Sequence, residues 1–142
     1  YALHEALVLL QEEGIENSWL RHRKHHRALR AGLESMGLKF VVREPYRLPQ
    51  LNAIQVPEGI AEAEVRQRLL ALYGLEIGAG LGPWAGQVWR IGLMGHSCRE
   101  ENVMLCLRAL NTVLSEMGVN VQKGVAEEVA QQVYRECPEN VV

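Results

Sequence analysis

Gly78-Ala79-Gly80-Leu81-Gly82-Pro83-Trp84-Ala85-Gly86-Gln87-Val88-Trp89-Arg90-Ile91-Gly92-Leu93-Met94 changes character halfway along. Its first nine residues hold four glycines and a proline, so they read as a loop whose backbone can take positive φ and approach a neighbour without a Cβ in the way. Gln87 to Met94 then reads as a strand, and its alternation puts Val88, Arg90, Gly92 and Met94 on one face and Trp89, Ile91 and Leu93 on the other. A strand after the glycine-rich loop, where a nucleotide site would need a helix, leaves no helix N-terminus for a phosphate. Neither G-x-G-x-x-G nor G-x-x-x-x-G-K-[ST] is present, so a Rossmann site and a P-loop are excluded here.

Working upstream, Leu75-Glu76-Ile77 is a brief apolar entry to the loop, and Ala61 to Tyr73 has helical spacing through Val65, Leu69 and Leu72, closed by Gly74. Leu51 to Val56 and Leu38 to Arg43 read as two short strands separated by Pro45 and Pro49. From Tyr1 to Met36 the pattern is helical, with Leu3, Leu7 and Leu10 and then Trp19, Leu29 and Leu33 forming an apolar stripe, either as two helices or as one bent near Gly14. Downstream, Ser97 with Glu100 three residues on predicts a capped helix running to Met117. Val125, Val129 and Val133 predict a last helix ended by Cys137-Pro138. Short strands interleaved with four or five helices point to an α+β fold, a small and mainly antiparallel sheet covered by helices. The expected organisation is a helical lead-in over 1–36, a small domain over 37–117 and a helical extension over 118–142.

The 142 residues, 48% hydrophobic, suffice for one core, and a formal charge of -2 gives no basic field for nucleic acid or an anionic membrane. The apolar runs, such as Ala6 to Leu10, are far shorter than the roughly 20 residues of a membrane span. Cys98, Cys106 and Cys137 lack a paired spacing and read as free thiols. Beginning at Tyr1 without a methionine, the sequence reads as a piece of something larger.

Among residues that could carry chemistry, Arg90 stands first. A guanidinium among small or apolar neighbours can present two parallel N–H donors to a carboxylate, although the same residue could equally pair with a surface Glu or lie on an open sheet face. The glycine-rich loop could face a substrate or merely connect strands. The run Arg21-His22-Arg23-Lys24-His25-His26-Arg27 lacks the acid of H-E-x-x-H and reads as a solvated helix face rather than a metal or nucleic-acid site. His4 and His96 read as surface or structural histidines, and Cys98 as a buried structural thiol. The chain's lysines, Lys24, Lys39 and Lys123, sit in no apolar pocket that would favour a Schiff base.

Taken in order, Gly14-Ile15-Glu16-Asn17-Ser18-Trp19, Leu48-Pro49, Gly80-Leu81-Gly82-Pro83, Arg90-Ile91-Gly92-Leu93-Met94-Gly95 and Arg99-Glu100-Glu101-Asn102-Val103 resemble the alanine–glyoxylate and serine–pyruvate aminotransferases. These are class V, fold-type I enzymes that depend on pyridoxal phosphate. The resemblance runs from Tyr1 to Met117 and implies the C-terminal small domain of a homodimeric enzyme that moves an amino group from alanine or serine to glyoxylate or another 2-oxo acid. It implies that Arg90 binds the substrate carboxylate, with Gly80, Leu81 and Gly82 bordering the substrate and Pro83 beside them. It also implies that the cofactor's lysine and the rest of its anchorage belong to a domain absent from this chain, which alone would be inactive. The alternative is a non-catalytic interaction module with the same small-domain fold. The final Asn140-Val141-Val142 does not resemble the S-K-L peroxisomal ending, leaving cytosol or mitochondrion open.

Overall fold

The computed structural model of the protein describes residues 1–136. The expected helix stop at Cys137-Pro138, the Cys137 thiol and the last three residues lie outside them. Two helices open the chain, α1 (Ala2–Glu13) and α2 (Ile15–Ser35), and Gly14 at φ 84° is the break between them. Then follow β1 (Leu51–Gln55), α3 (Glu62–Tyr73), β2 (Gly78–Ala79), β3 (Val88–Gly92), α4 (Glu100–Glu116) and α5 (Val125–Glu136). Gly74, at φ 61°, ends α3 in the left-handed conformation that its missing Cβ permits. The sheet has the order β1-β3-β2 and is antiparallel throughout, with Ala53 and Gly78 on either side of Arg90. The fold is α+β, with a small antiparallel sheet covered by helices.

The middle strand joins the core through Trp89, which is fully buried and donates from its indole N–H to the Glu62 carbonyl at 3.3 Å. Leu29 and Leu33 of α2, Ile54 of β1, Leu69 of α3 and Leu107, Leu110 and Leu114 of α4 surround it in one cluster. Burying each such side chain stabilises the fold by roughly 1.5–3 kcal/mol. Gly32 sets the helix spacing: a Cβ there would lie 2.4 Å from Leu107 Cδ1 and 3.0 Å from the Ala126 carbonyl, so α2, α4 and α5 meet where no side chain intervenes.

Three local expectations give way to tertiary contacts. Leu38 to Arg43 is not a strand. Val41 N–H donates to Ala53 (3.0 Å) and Gln55 N–H to Lys39 (2.8 Å), giving a single bridge between Phe40 and Ile54 before the chain turns away through Glu44–Tyr46, a turn set by Pro45. Ser97 is not a helix cap, because it belongs to a tight turn over Gly95–Ser97, and α4 begins at Glu100 after an extended Arg99. Its carbonyl instead accepts from the Asn102 side chain at 2.9 Å.

The histidine-rich run is not a solvated face either: α5 lies along α2 and buries His25, while His22 is buried against the turn at Gly95. His25 Nδ1 pairs with the Tyr134 hydroxyl at 2.8 Å, their rings edge to face at 5.5 Å. Burial first, and then the cations Lys24 and Arg21, push His25 down from 6.5 to about 4, and burial pushes the Tyr134 phenol up. The folded state therefore resists protonation that the unfolded chain accepts. The contribution of this group is undiminished above pH 6.5 and is lost as the pH drops toward 4, by at most about 3 kcal/mol, reduced by the partial exposure of the ring. Urea midpoints of the full-length protein across that window should decline with acid, and a His25→Gln variant should decline less; equal slopes would dismiss this pair as the cause.

Candidate functional site

The site is built on the β2–β3 hairpin. Gly80 N–H donates to the Val88 carbonyl at 2.7 Å, closing the base of the loop. Above it, Gly82–Trp84 form a tight turn, Gly82 takes φ 55°, and Gln87 ties back through its N–H to Trp84 and through its side chain to Pro83, both at 3.1 Å. A Cβ on Gly80 would stand 2.0 Å from the Trp84 carbonyl oxygen, so the loop can fold onto itself only over a glycine. Gly80 is buried, whereas Leu81 and Gly82 stand exposed at the hairpin tip with Pro83 and Trp84.

Arg90 sits in the middle strand, half-buried, and its Nε–H donates to the Ala79 carbonyl at 2.7 Å. That bond anchors one edge of the guanidinium. Among the described residues no carboxylate pairs with it, unlike the arginines 21, 30, 47, 66, 68 and 108, each of which meets a glutamate. A surface ion pair is therefore not formed with any described glutamate. Gly78, directly across the ladder, has no Cβ; one placed there would press on Nη2 at 3.3 Å and on Cζ at 3.5 Å. The sequence reading passes over Gly78, because only the strand register reveals which glycine lies opposite Arg90. On the other side, the Met94 methyl reaches over Gly92, 3.2 Å from where a Cβ would be. The result is a fixed cation with two outward N–H groups on Nη1 and Nη2, able to take the two oxygens of a planar anion side by side.

Other candidates supply less. Cys98 and Cys106 are free and buried, and burial pushes their thiols up to about 11 and about 12, so neither offers a thiolate near neutral pH. Lys39 and Lys123 are exposed, and Lys24 lies 6.0 Å over the Tyr134 ring. His4 and His96 are exposed. A groove of about 270 Å³ opens between α4 and the segment 74–77, lined by Leu75, Ile77, Gly92, Asn102 and Cys106, but Arg90 is not part of it. Its lining carries no cation.

No family model matches the chain. Over 134 residues it is 42% identical to the (S)-ureidoglycine–glyoxylate transaminase of Bacillus subtilis (strain 168), a match covering 94% of this chain and 32% of that protein. It is 43% identical over 115 residues to the alanine–glyoxylate aminotransferase of Callithrix jacchus, covering 80% of this chain and 28% of that one. The crystal structure of the ureidoglycine–glyoxylate aminotransferase from Bacillus subtilis superimposes with a TM-score of 0.92 over 95% of this chain and 35% of that one, at 42% identity. The chain thus spans about a third of the length of the curated relatives it matches.

Proposed function

We propose a function from the premise that this chain belongs to the class V, fold-type I aminotransferases, whose C-terminal part it matches. In this reading the full-length protein is a pyridoxal-phosphate-dependent transaminase, working as a homodimer, that moves an amino group from alanine or serine to glyoxylate or another 2-oxo acid. Arg90 grips the α-carboxylate that donor and acceptor share. The observation that carries this is a guanidinium held by Ala79 on one edge and met by no acid among the described residues on the other.

Bound to the full-length protein, pyridoxal phosphate would supply the electron sink that transamination needs. The described residues fit the carboxylate but not the cofactor, since no lysine among them is enclosed near the hairpin; the cofactor's lysine then belongs to the remainder of the protein, and this chain alone is inactive. Arg90 contributes position and charge. With its Nε committed to Ala79, the Nη edge points one way, so a bound acid is held in one orientation before any proton moves. Gly78 leaves the space in which the carboxylate lies flat against that edge. Gly80, Leu81 and Gly82 shape the hairpin that borders the substrate.

The longer match, which takes in 94% of this chain, favours a second reading of the donor as (S)-ureidoglycine, with glyoxylate as acceptor in both. The test is the absorbance spectrum of the full-length protein purified with pyridoxal phosphate. A near-visible band that shifts with one of L-alanine, L-serine or (S)-ureidoglycine and returns with glyoxylate supports the reading and names the donor. A spectrum unmoved by all three rejects it in favour of a non-catalytic interaction module.

A further inference from the structure

The chain leaving β3 is held by a cluster of polar side chains that the proposed reaction does not use. Arg21 of α2 donates through Nε and Nη2 to the Glu13 carboxylate at the end of α1, at 2.5 and 2.9 Å. Its remaining Nη1 donates to two carbonyls of the turn after β3, those of Gly95 and Cys98, both at 2.9 Å. The next residue completes the grip. Gly95 N–H donates to His22 Nε2 at 3.1 Å, and His22 Nδ1 lies 2.6 Å from the Ser18 carbonyl. A carbonyl can only accept and an N–H can only donate, so these two partners require a neutral ring protonated on Nδ1. The charge-assisted pair with Glu13 fixes the guanidinium, and both polar groups of Gly95 are thereby tied to α2.

A surface turn of this kind could satisfy its backbone with water. Here it is clamped at the residue after Met94, whose methyl lies over Gly92, the next residue along the Arg90 face of β3. Gly95 itself, at φ 52°, redirects the chain at that point. Beyond Gly92 the Leu93 N–H donates to Gln50 at 2.8 Å and the Met94 carbonyl accepts from the Ser97 N–H at 3.1 Å, inside the same turn that the clamp at Gly95 holds against α2.

We propose that Arg21 and His22 are positioning residues for the carboxylate site: by clamping Gly95 to α2 they hold Met94 over Gly92 as the wall beside Arg90. This rests on the reading of Arg90 as the carboxylate grip. In this reading the Met94 methyl over Gly92 bounds the Arg90 face at the strand's open end, so the clamp governs how tightly an acid is held and leaves the turnover of a bound acid largely untouched. It also makes the lead-in helices part of the site, since Glu13 and Arg21 link α1 to the active strand.

The full-length holoenzyme tests this with His22→Leu, Arg21→Met and Met94→Ala, read by KM for the 2-oxo acid, kcat, and inhibition by propionate, a carboxylate with neither amino nor keto group. The expected result is a rise of about tenfold in KM and in the propionate inhibition constant, with kcat within about twofold. His22→Gln, whose side-chain oxygen can still accept from Gly95 N–H, should recover most of the loss, which a general loosening of the fold would not do. An Arg90→Gln control separates the two claims. If it leaves propionate inhibition intact, the reading of Arg90 itself fails. If it abolishes inhibition while Arg21→Met and Met94→Ala bind propionate as the parent does, the clamp proposal is overturned and the reading stands. Should His22→Leu not fold, these last two variants decide.

Discussion

Arg90→Gln in the full-length protein is expected to lower kcat/KM for both the amino donor and the 2-oxo acid by at least about a hundredfold, mainly through KM. The magnitude follows from what is lost. Each hydrogen bond to a charged group contributes roughly 1.5–3 kcal/mol, and the guanidinium offers two to the same carboxylate. Even with solvent discounting the sum, about 3 kcal/mol corresponds to a factor on the order of 100. Glutamine is the informative replacement because its amide can still donate to the Ala79 carbonyl, where the native Nε–H sits at 2.7 Å, so the hairpin is preserved while the charge goes. Arg90→Lys should fall between the two: it keeps the charge as a point but loses both the fork and the anchored edge. Loss on donor and acceptor alike is the diagnostic feature, since the carboxylate is what those two substrates share. Steady-state constants equal to those of the parent protein would remove Arg90 from the reaction.

The second large effect is expected from one added methyl group. Gly80→Ala would bring a Cβ to 2.0 Å from the Trp84 carbonyl oxygen and 2.6 Å from its carbon, with the Trp84 Cβ at 3.1 Å. Backbone cannot step aside as a side-chain tip can. Either the Gly80–Val88 bond at 2.7 Å or the Gln87–Trp84 bond at 3.1 Å must open, and with it the packing of the loop over its own base. A destabilisation of about 2–4 kcal/mol is expected, in the range of overpacking combined with a lost buried hydrogen bond. Gly82→Ala is the matched comparison. Gly82 has φ 55° but open space around its missing Cβ, so only the left-handed backbone penalises it, by roughly 1 kcal/mol. Thermal melting of the two variants should therefore separate them clearly, Gly80→Ala being the lower. If Gly80→Ala melts with the parent, the close approach is not what the hairpin requires.

The two glycines also show how far sequence reading reaches. Gly80 and Gly82 look alike in the row, both inside a glycine-rich loop and both placed beside a substrate by family resemblance. In the folded protein one is buried and needed for backbone contact, while the other turns the chain at an exposed tip. Arg90 was legible as a candidate because strand alternation and small neighbours are local properties. That no described glutamate pairs with it is a property of all the chain segments that fold around it, and the reading of a grip rests on that and on the family resemblance.

The histidine-rich segment failed for the same reason in the opposite direction. Seven polar residues in a row imply a wet helix face when read alone, yet α5, more than ninety residues downstream of His25, supplies Tyr134 and closes over it. Ser97 has good capping chemistry at good spacing, but Arg21 and His22 hold the adjacent turn in another shape, and a cap contributes too little to compete with two charge-assisted bonds from Arg21 and a third bond from Gly95 N–H to His22.

By itself, then, the sequence determined the element order, the α+β class, the face on which Arg90 stands and the family resemblance, because periodicity, glycine placement and motif order are carried by neighbouring residues. The tertiary structure alone decided which glycine lies across from the guanidinium, that no carboxylate among the described residues pairs with it, and what clamps the turn at Gly95. Each of those depends on a partner far away in the chain, and burial and hydrogen bonding between distant segments have no local trace for a sequence to display.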